Sequence, residues 1–133
     1  DVGKAFGITV AQENVVHCKS GSIDFLQNMT EYLDEDVALV FDNKQAIRSQ
    51  INYHEFVNRL GKYIVHVHLS DNDDMHDCLP IGEGTLDIKA FLSMFQKLHY
   101  EGYFIEEIYS SSIQSAKHFC DSYKKLEEIS AQI

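Results

Sequence analysis

The sequence predicts an α/β fold with a parallel sheet, on three observations. Four short runs of β-branched and aromatic residues are each followed by a segment of helical period. Every one of those runs ends at or beside a carboxylate or an imidazole. The βα unit repeats with no Gly/Ser- or Pro-rich linker, which favours parallel strands joined by right-handed crossovers in one unit spanning residues 1–133.

The first run, Gly7 to Gln12 (GITVAQ), has the length and composition of a strand. Ile23, Leu26, Met29 and Leu33 then mark one face of a helix, with Ser22 placed as its N-cap. A second strand is expected over Val37 to Phe41 (VALVF). Tyr53, Phe56, Val57 and Leu60 repeat the stripe in a shorter helix that Gly61 can end. The third strand is Tyr63 to Leu69 (YIVHVHL), and Ile88, Phe91, Leu92, Phe95 and Leu98 form the next helical face. The fourth strand is Tyr103 to Ile108 (YFIEEI), and a closing helix is expected from about Ser112 with Ile113, Ala116, Phe119 or Cys120, Tyr123 and Leu126 inward.

Composition narrows the function. Asp and Glu outnumber Lys and Arg 21 to 11, a formal net charge of -10. Such a surface does not suit the phosphates of nucleic acid or an anionic membrane. Hydrophobic content of 44% and charged content of 24% are those of an ordinary soluble domain. Cys18, Cys78 and Cys120 are odd in number and widely spaced, so neither a disulfide framework nor a thiolate zinc site is expected. With no signal-like N-terminus and no run of membrane-spanning length, a cytoplasmic setting is the expectation.

The chemistry lies at the strand ends. Glu13 follows the first run, Asp42 the second, and Glu106 and Glu107 close the fourth. His66 and His68, two apart in a strand, share one face. In parallel α/β folds catalytic and ligand groups gather at the carboxyl ends of the strands. A mixed His/Asp/Glu set suits Mn²⁺, Zn²⁺, Mg²⁺ or Fe²⁺. Each residue has a plainer use: Asp42 suits a helix N-cap, an H-x-H pair suits a core, and Glu13 suits a solvated loop. Four strands repeating the same placement favour a shared rim. The loop from Ser70 to Asp87 carries four acidic residues between Asp71 and Asp77 but lacks EF-hand spacing. One or two of its residues are expected to face the site, and its Gly82-Glu83-Gly84 turn can offer backbone N–H groups to an anion.

The runs ITVAQENV, ALVFDNKQA, IVHVHLSDND, CLPIGEGTLD and GYFIEEIY resemble, in order and spacing, the C-terminal half of the xylose-isomerase-like barrel superfamily. That superfamily includes sugar-phosphate isomerases, ketose 3-epimerases and the endonuclease IV type of abasic-site nuclease (AP endonuclease family 2). The resemblance covers about Phe6 to Tyr109 and the closing helix, with HVHLSDN followed by LPIGEG its most specific part.

The resemblance implies strands five to eight of a (β/α)8 TIM barrel, a half-barrel. It implies one divalent ion (Mn, Zn, Mg or Co) held by Glu13, Asp42, His68 and Glu107, with Glu13 and Glu107 also catalytic. His66, Asp71 and Glu83 are assigned to substrate. His68 matches rather than His66 because the family histidine precedes Leu69-Ser70-Asp71. Glu107 matches rather than Glu106 because it precedes Ile108-Tyr109. Two family histidines are replaced, by Gln45 and by Cys78, and the acidic residue two positions before Cys78 is His76. Those departures, with the acidic charge, weigh against the nuclease branch. The implied function is metal-dependent isomerisation or epimerisation of a sugar or sugar phosphate. A metal-dependent hydrolase and a non-catalytic barrel fragment are the alternatives. At 133 residues the chain is half the roughly 250 of a whole barrel, so pairing with a missing N-terminal half or a second copy is expected.

Overall fold

The computed structural model describes residues 2–33 and 37–133. Its centre is a four-stranded sheet in the order β1-β2-β3-β4, built from Gln12–Glu13, Leu39–Asp42, Ile64–Leu69 and Tyr103–Glu106. Every pairing is parallel, as the βα alternation requires. The helices are α1 (Val2–Ala5), α2 (Ile23–Leu33), α3 (Asn43–Arg48), α4 (Tyr53–Leu60), α5 (Ile88–Lys97) and α6 (Ala116–Ser130). Among the described residues, no helix is long and apolar enough to cross a membrane.

Alternation along the strands divides two environments. Phe41, Val67, Leu69 and Phe104 point toward the helices and join the core with Leu26, Phe56, Phe91 and Phe95. Phe41 sits at its centre, with ring centroids 4.7 Å from Phe56, 6.1 Å from Phe91 and 6.3 Å from Phe95. The opposite face carries Val40, Asp42, His66, His68, Tyr103 and Ile105 in register. That face is open: Tyr103 is 78% exposed and Ile105 is 49% exposed.

Several elements differ from expectation. The first strand pairs only at Gln12 and Glu13, with β2 its one neighbour among the described residues, and the Gly7 and Ile8 N–H groups bond instead to the Lys4 and Gly3 carbonyls of α1. Helix α3 carries no long apolar stripe and was not among the helices marked by periodicity, but Asp42 caps it as anticipated, accepting the Gln45 N–H. The closing helix begins at Ala116 under the Ser115 cap, and Ser110–Ser112 form a separate 3-10 turn. Its inward face holds Ser122 and Leu126, leaving Phe119, Cys120 and Tyr123 exposed. Ser122 sets that phase by accepting the Ile81 N–H and donating to Glu106. Ser22 does accept the Phe25 N–H, as expected of a cap. Gly61 ends α4 in ordinary right-handed geometry (φ -54°), so its value is space: a Cβ there would collide with the Leu98 side chain.

Candidate metal centre

Three strand ends and the residue following β4 bring Glu13, Asp42, His68 and Glu107 together, each offering one ligand atom within 4.8 Å of the others. His68 Nδ1 is central, 2.9 Å from Glu107 Oε2, 3.6 Å from Glu13 Oε1 and 3.8 Å from Asp42 Oδ2. Asp42 has both uses anticipated for it. Oδ1 caps α3, while Oδ2 points into the cluster.

Side-chain amides hold the rim where the strand ladder ends. Buried Asn14 donates from Nδ2 to the Asp42 carbonyl at 2.9 Å and accepts the Asp42 N–H at 2.8 Å. Asn43 repeats the motif one strand on, donating to the Ser70 carbonyl and accepting the Ser70 N–H. The amide thus stands in for a further strand residue, fixing Glu13 to Asp42 and Asp42 to the end of β3.

The electrostatics are uneven. Burial pushes the Glu13 carboxyl above its ordinary range, and the neighbouring Asp42 carboxylate adds to the rise. Burial acts the same way on Glu107, but Lys44, with His68 and Asp42 adding to it, holds that carboxyl below its ordinary range. Lys44 Nζ lies 2.7 Å from Glu107 Oε1 and 3.4 Å from Asp42 Oδ2, and its side chain is only 4% exposed. His66 lies two residues deeper on the same face, its ring 5.1 Å from that of His68. Burial, then the His68 charge, lowers its pKa.

The donor set fits a divalent cation. Asp42 Oδ2 and His68 Nδ1 are buried and form no hydrogen bond among the described residues; their polar neighbours are charged groups, Lys44 Nζ 3.4 Å from Oδ2 and Glu107 Oε2 2.9 Å from Nδ1. Atoms whose hydrogen-bonding capacity is unused, aimed at one point within a carboxylate-rich set, could hold a cation between them. Glu106 is excluded from the cluster because it faces α6, against Ser122 and the Ile81 N–H.

The other expected residues lie apart. Asp71 is buried, and its carboxylate accepts four backbone N–H groups: Gly82 and Gly84 on Oδ2, Asn72 and Leu86 on Oδ1. The Gly-rich turn does bind an anion, and the anion is the chain's own Asp71. A Cβ on Gly84 would strike the Asp71 carboxylate and the Asn72 carbonyl. Glu83 pairs with His118 at 2.7 Å on the outer surface. Gln45, at the family histidine position, accepts the Val16 N–H. Cys78 is buried with its thiol donating to the Glu107 carbonyl, while exposed His76 pairs with Asp73. These two do not meet. An open groove of about 480 Å³, lined by Ile47, Asp77, Leu79, Tyr109 and Ser111 among others, includes none of the four cluster residues.

Lys44, Asn14 and Asn43 escaped the sequence reading. The available signal was their place immediately after strand-end carboxylates, in E-N and D-N-K.

Residues 1–129 match the xylose isomerase-like TIM barrel family. No curated protein matches the chain in sequence. Among solved structures, a D-tagatose 3-epimerase-like protein superposes with TM-score 0.77 at 24% identity, covering 98% of this chain and 50% of its own. The 3-keto-D-glucoside 4-epimerase of E. coli gives TM-score 0.76 at 20% identity, over 96% of this chain and 48% of its own. A D-allulose 3-epimerase from Methylomonas sp., in complex with D-allulose, gives 0.71 at 17% identity, over 96% and 49%. This chain spans about half the length of each of these structures.

Proposed function

The chain belongs to the xylose isomerase-like TIM barrel family, and from that membership we propose that it is the metal-bearing half of a sugar or sugar-phosphate isomerase or epimerase. One observation carries the proposal: a member of this family brings Glu13, Asp42, His68 and Glu107 to one point. On this reading those four residues hold one divalent ion. Bound there, the ion supplies Lewis acidity that makes the C–H beside a sugar carbonyl easier to ionise.

The protein groups then divide the work. Glu107, paired with Lys44, accepts a proton from the substrate carbon. Glu13, from the opposite edge of the sheet, returns a proton on the other side of the sugar. His66, on the same face, hydrogen-bonds the sugar or steadies His68. Asp71 and Glu83 are withdrawn from the substrate assignment, since both are committed elsewhere. The hydrolase alternative gains no support, because Gln45 and Cys78 are engaged with backbone.

Residues 1–133 form one half-barrel domain on this reading, completed by another half-barrel. The free edges β1 and β4 and the exposed apolar residues Val10, Tyr103 and Ile105 are the surfaces that a complementary half would cover. The cytoplasm is the setting in which the three free cysteines stay reduced. The test is to fuse the chain to the complementary half of a family barrel and follow ketoses in deuterated water with Mn²⁺. Solvent deuterium should enter at a carbon next to the carbonyl, and Glu107→Gln should abolish it. Undiminished exchange in that variant would remove Glu107 from the reaction.

A further inference from the structure

We propose that Lys44 is a built-in counter-cation of the rim, which a divalent ion must displace from Asp42 and which therefore weakens cation binding. The inference rests on the metal-site reading above.

Three carboxylates, those of Glu13, Asp42 and Glu107, crowd one small volume with His68. An ammonium group placed among them neutralises part of that charge, and between buried Lys44 and buried Asp42 water screens poorly. Lys44 arrives from the first turn of α3, two residues beyond Asp42, and its side chain is almost fully buried. Nζ reaches Glu107 Oε1 and stands 3.4 Å from Asp42 Oδ2.

The choice of Asp42 oxygen makes this a competition. Oδ1 is committed to the Gln45 N–H as the helix cap, so Oδ2 is the oxygen left for an ion. That oxygen is the one Lys44 approaches. Glu107 is divided differently: Oε1 faces Lys44, while Oε2 faces His68. An ion can therefore share Glu107 with Lys44 but contests Asp42 with it. The ammonium also lies 5.2 Å from the centroid of the Tyr109 ring, so it keeps a cation–π partner when it moves off Asp42.

Neutralising Lys44 removes both the competitor and the repulsion of a like charge. Lys44→Met and Lys44→Gln should each bind Mn²⁺ more tightly than the unaltered chain by about tenfold or more, read by calorimetric titration. Lys44→Arg, which keeps the charge, should not tighten binding. A second readout does not depend on affinity alone. The neutral variants should unfold at lower temperature without metal, and Mn²⁺ should raise their midpoint by more than it raises that of the unaltered chain. Equal or weaker Mn²⁺ binding by both neutral variants, with the unaltered chain binding, would overturn the role of Lys44 and leave the metal site standing. No Mn²⁺ binding by any of these proteins would overturn the metal site and this inference together.

Discussion

The side-chain amide of Asn14 pairs in both directions with the backbone of Asp42, donating to its carbonyl at 2.9 Å and accepting its N–H at 2.8 Å. Both residues are buried, so neither backbone group can turn to water instead. Asn14→Leu keeps the volume and leaves both groups unpaired. Its expected cost is about 2–4 kcal/mol, measured by urea denaturation. Mn²⁺ affinity should fall as well, because the pair fixes the spacing of Glu13 and Asp42. A loss below about 0.5 kcal/mol would show that the pair contributes little.

Asp71 organises the long loop after β3 in the same manner. Its carboxylate gathers N–H groups from Asn72, Gly82, Gly84 and Leu86. Asp71→Asn replaces one acceptor oxygen with a donor that opposes two of those N–H groups. A destabilisation of about 3 kcal/mol is expected. Amide exchange at Gly82, Gly84 and Leu86 should accelerate together, while exchange in the sheet core changes less.

Stability should fall in alkali through Tyr100. Burial pushes its hydroxyl up to about 12, from an ordinary value near 10. The folded state thus disfavours the phenolate, and the contribution of Tyr100 is complete below pH 10 and lost as the pH rises toward 12. Tyr100→Phe has no such ionisation. Denaturation at pH 9 and pH 11 should show a larger alkaline loss for the unaltered chain than for the variant, and parallel losses would contradict it.

The open face of the sheet should make the chain self-associate when it is alone. Tyr103 and Ile105 expose apolar surface on an edge strand with a free row of backbone groups. Sedimentation velocity should show concentration-dependent association that the double variant Tyr103→Lys, Ile105→Lys reduces. A monomer at every concentration would contradict the pairing proposed for this face.

The strands were legible because β-branched runs of strand length are rare elsewhere in this sequence. Glu13, Asp42, His68 and Glu107 were legible as a set because each stands at or just beyond a strand end, where a parallel sheet gathers its polar groups. What was not legible leaves no periodic signal or depends on partners distant in sequence. Residues 7–11 have strand composition but no strand paired with them among the described residues. Helix α3 is set by the cap at Asp42 rather than by a stripe, since its buried residues are Asn43, Lys44 and Ala46. The anion-binding chemistry of Gly82-Glu83-Gly84 could be read locally, but its occupant, Asp71, is placed there by the return of the loop. Lys44 was hidden because a long side chain leaving the first turn of a helix can point to the rim or to solvent, and periodicity does not distinguish the two.

The central claim is that four residues from successive strands hold one divalent ion. Crystals grown with Mn²⁺ test it most directly, through the anomalous signal of the metal. A single strong peak is expected within about 2.0–2.3 Å of Asp42 Oδ2, His68 Nδ1 and one oxygen each of Glu13 and Glu107. Absence of a peak there, or peaks confined to surface carboxylates such as Asp73 and Asp77, would contradict it.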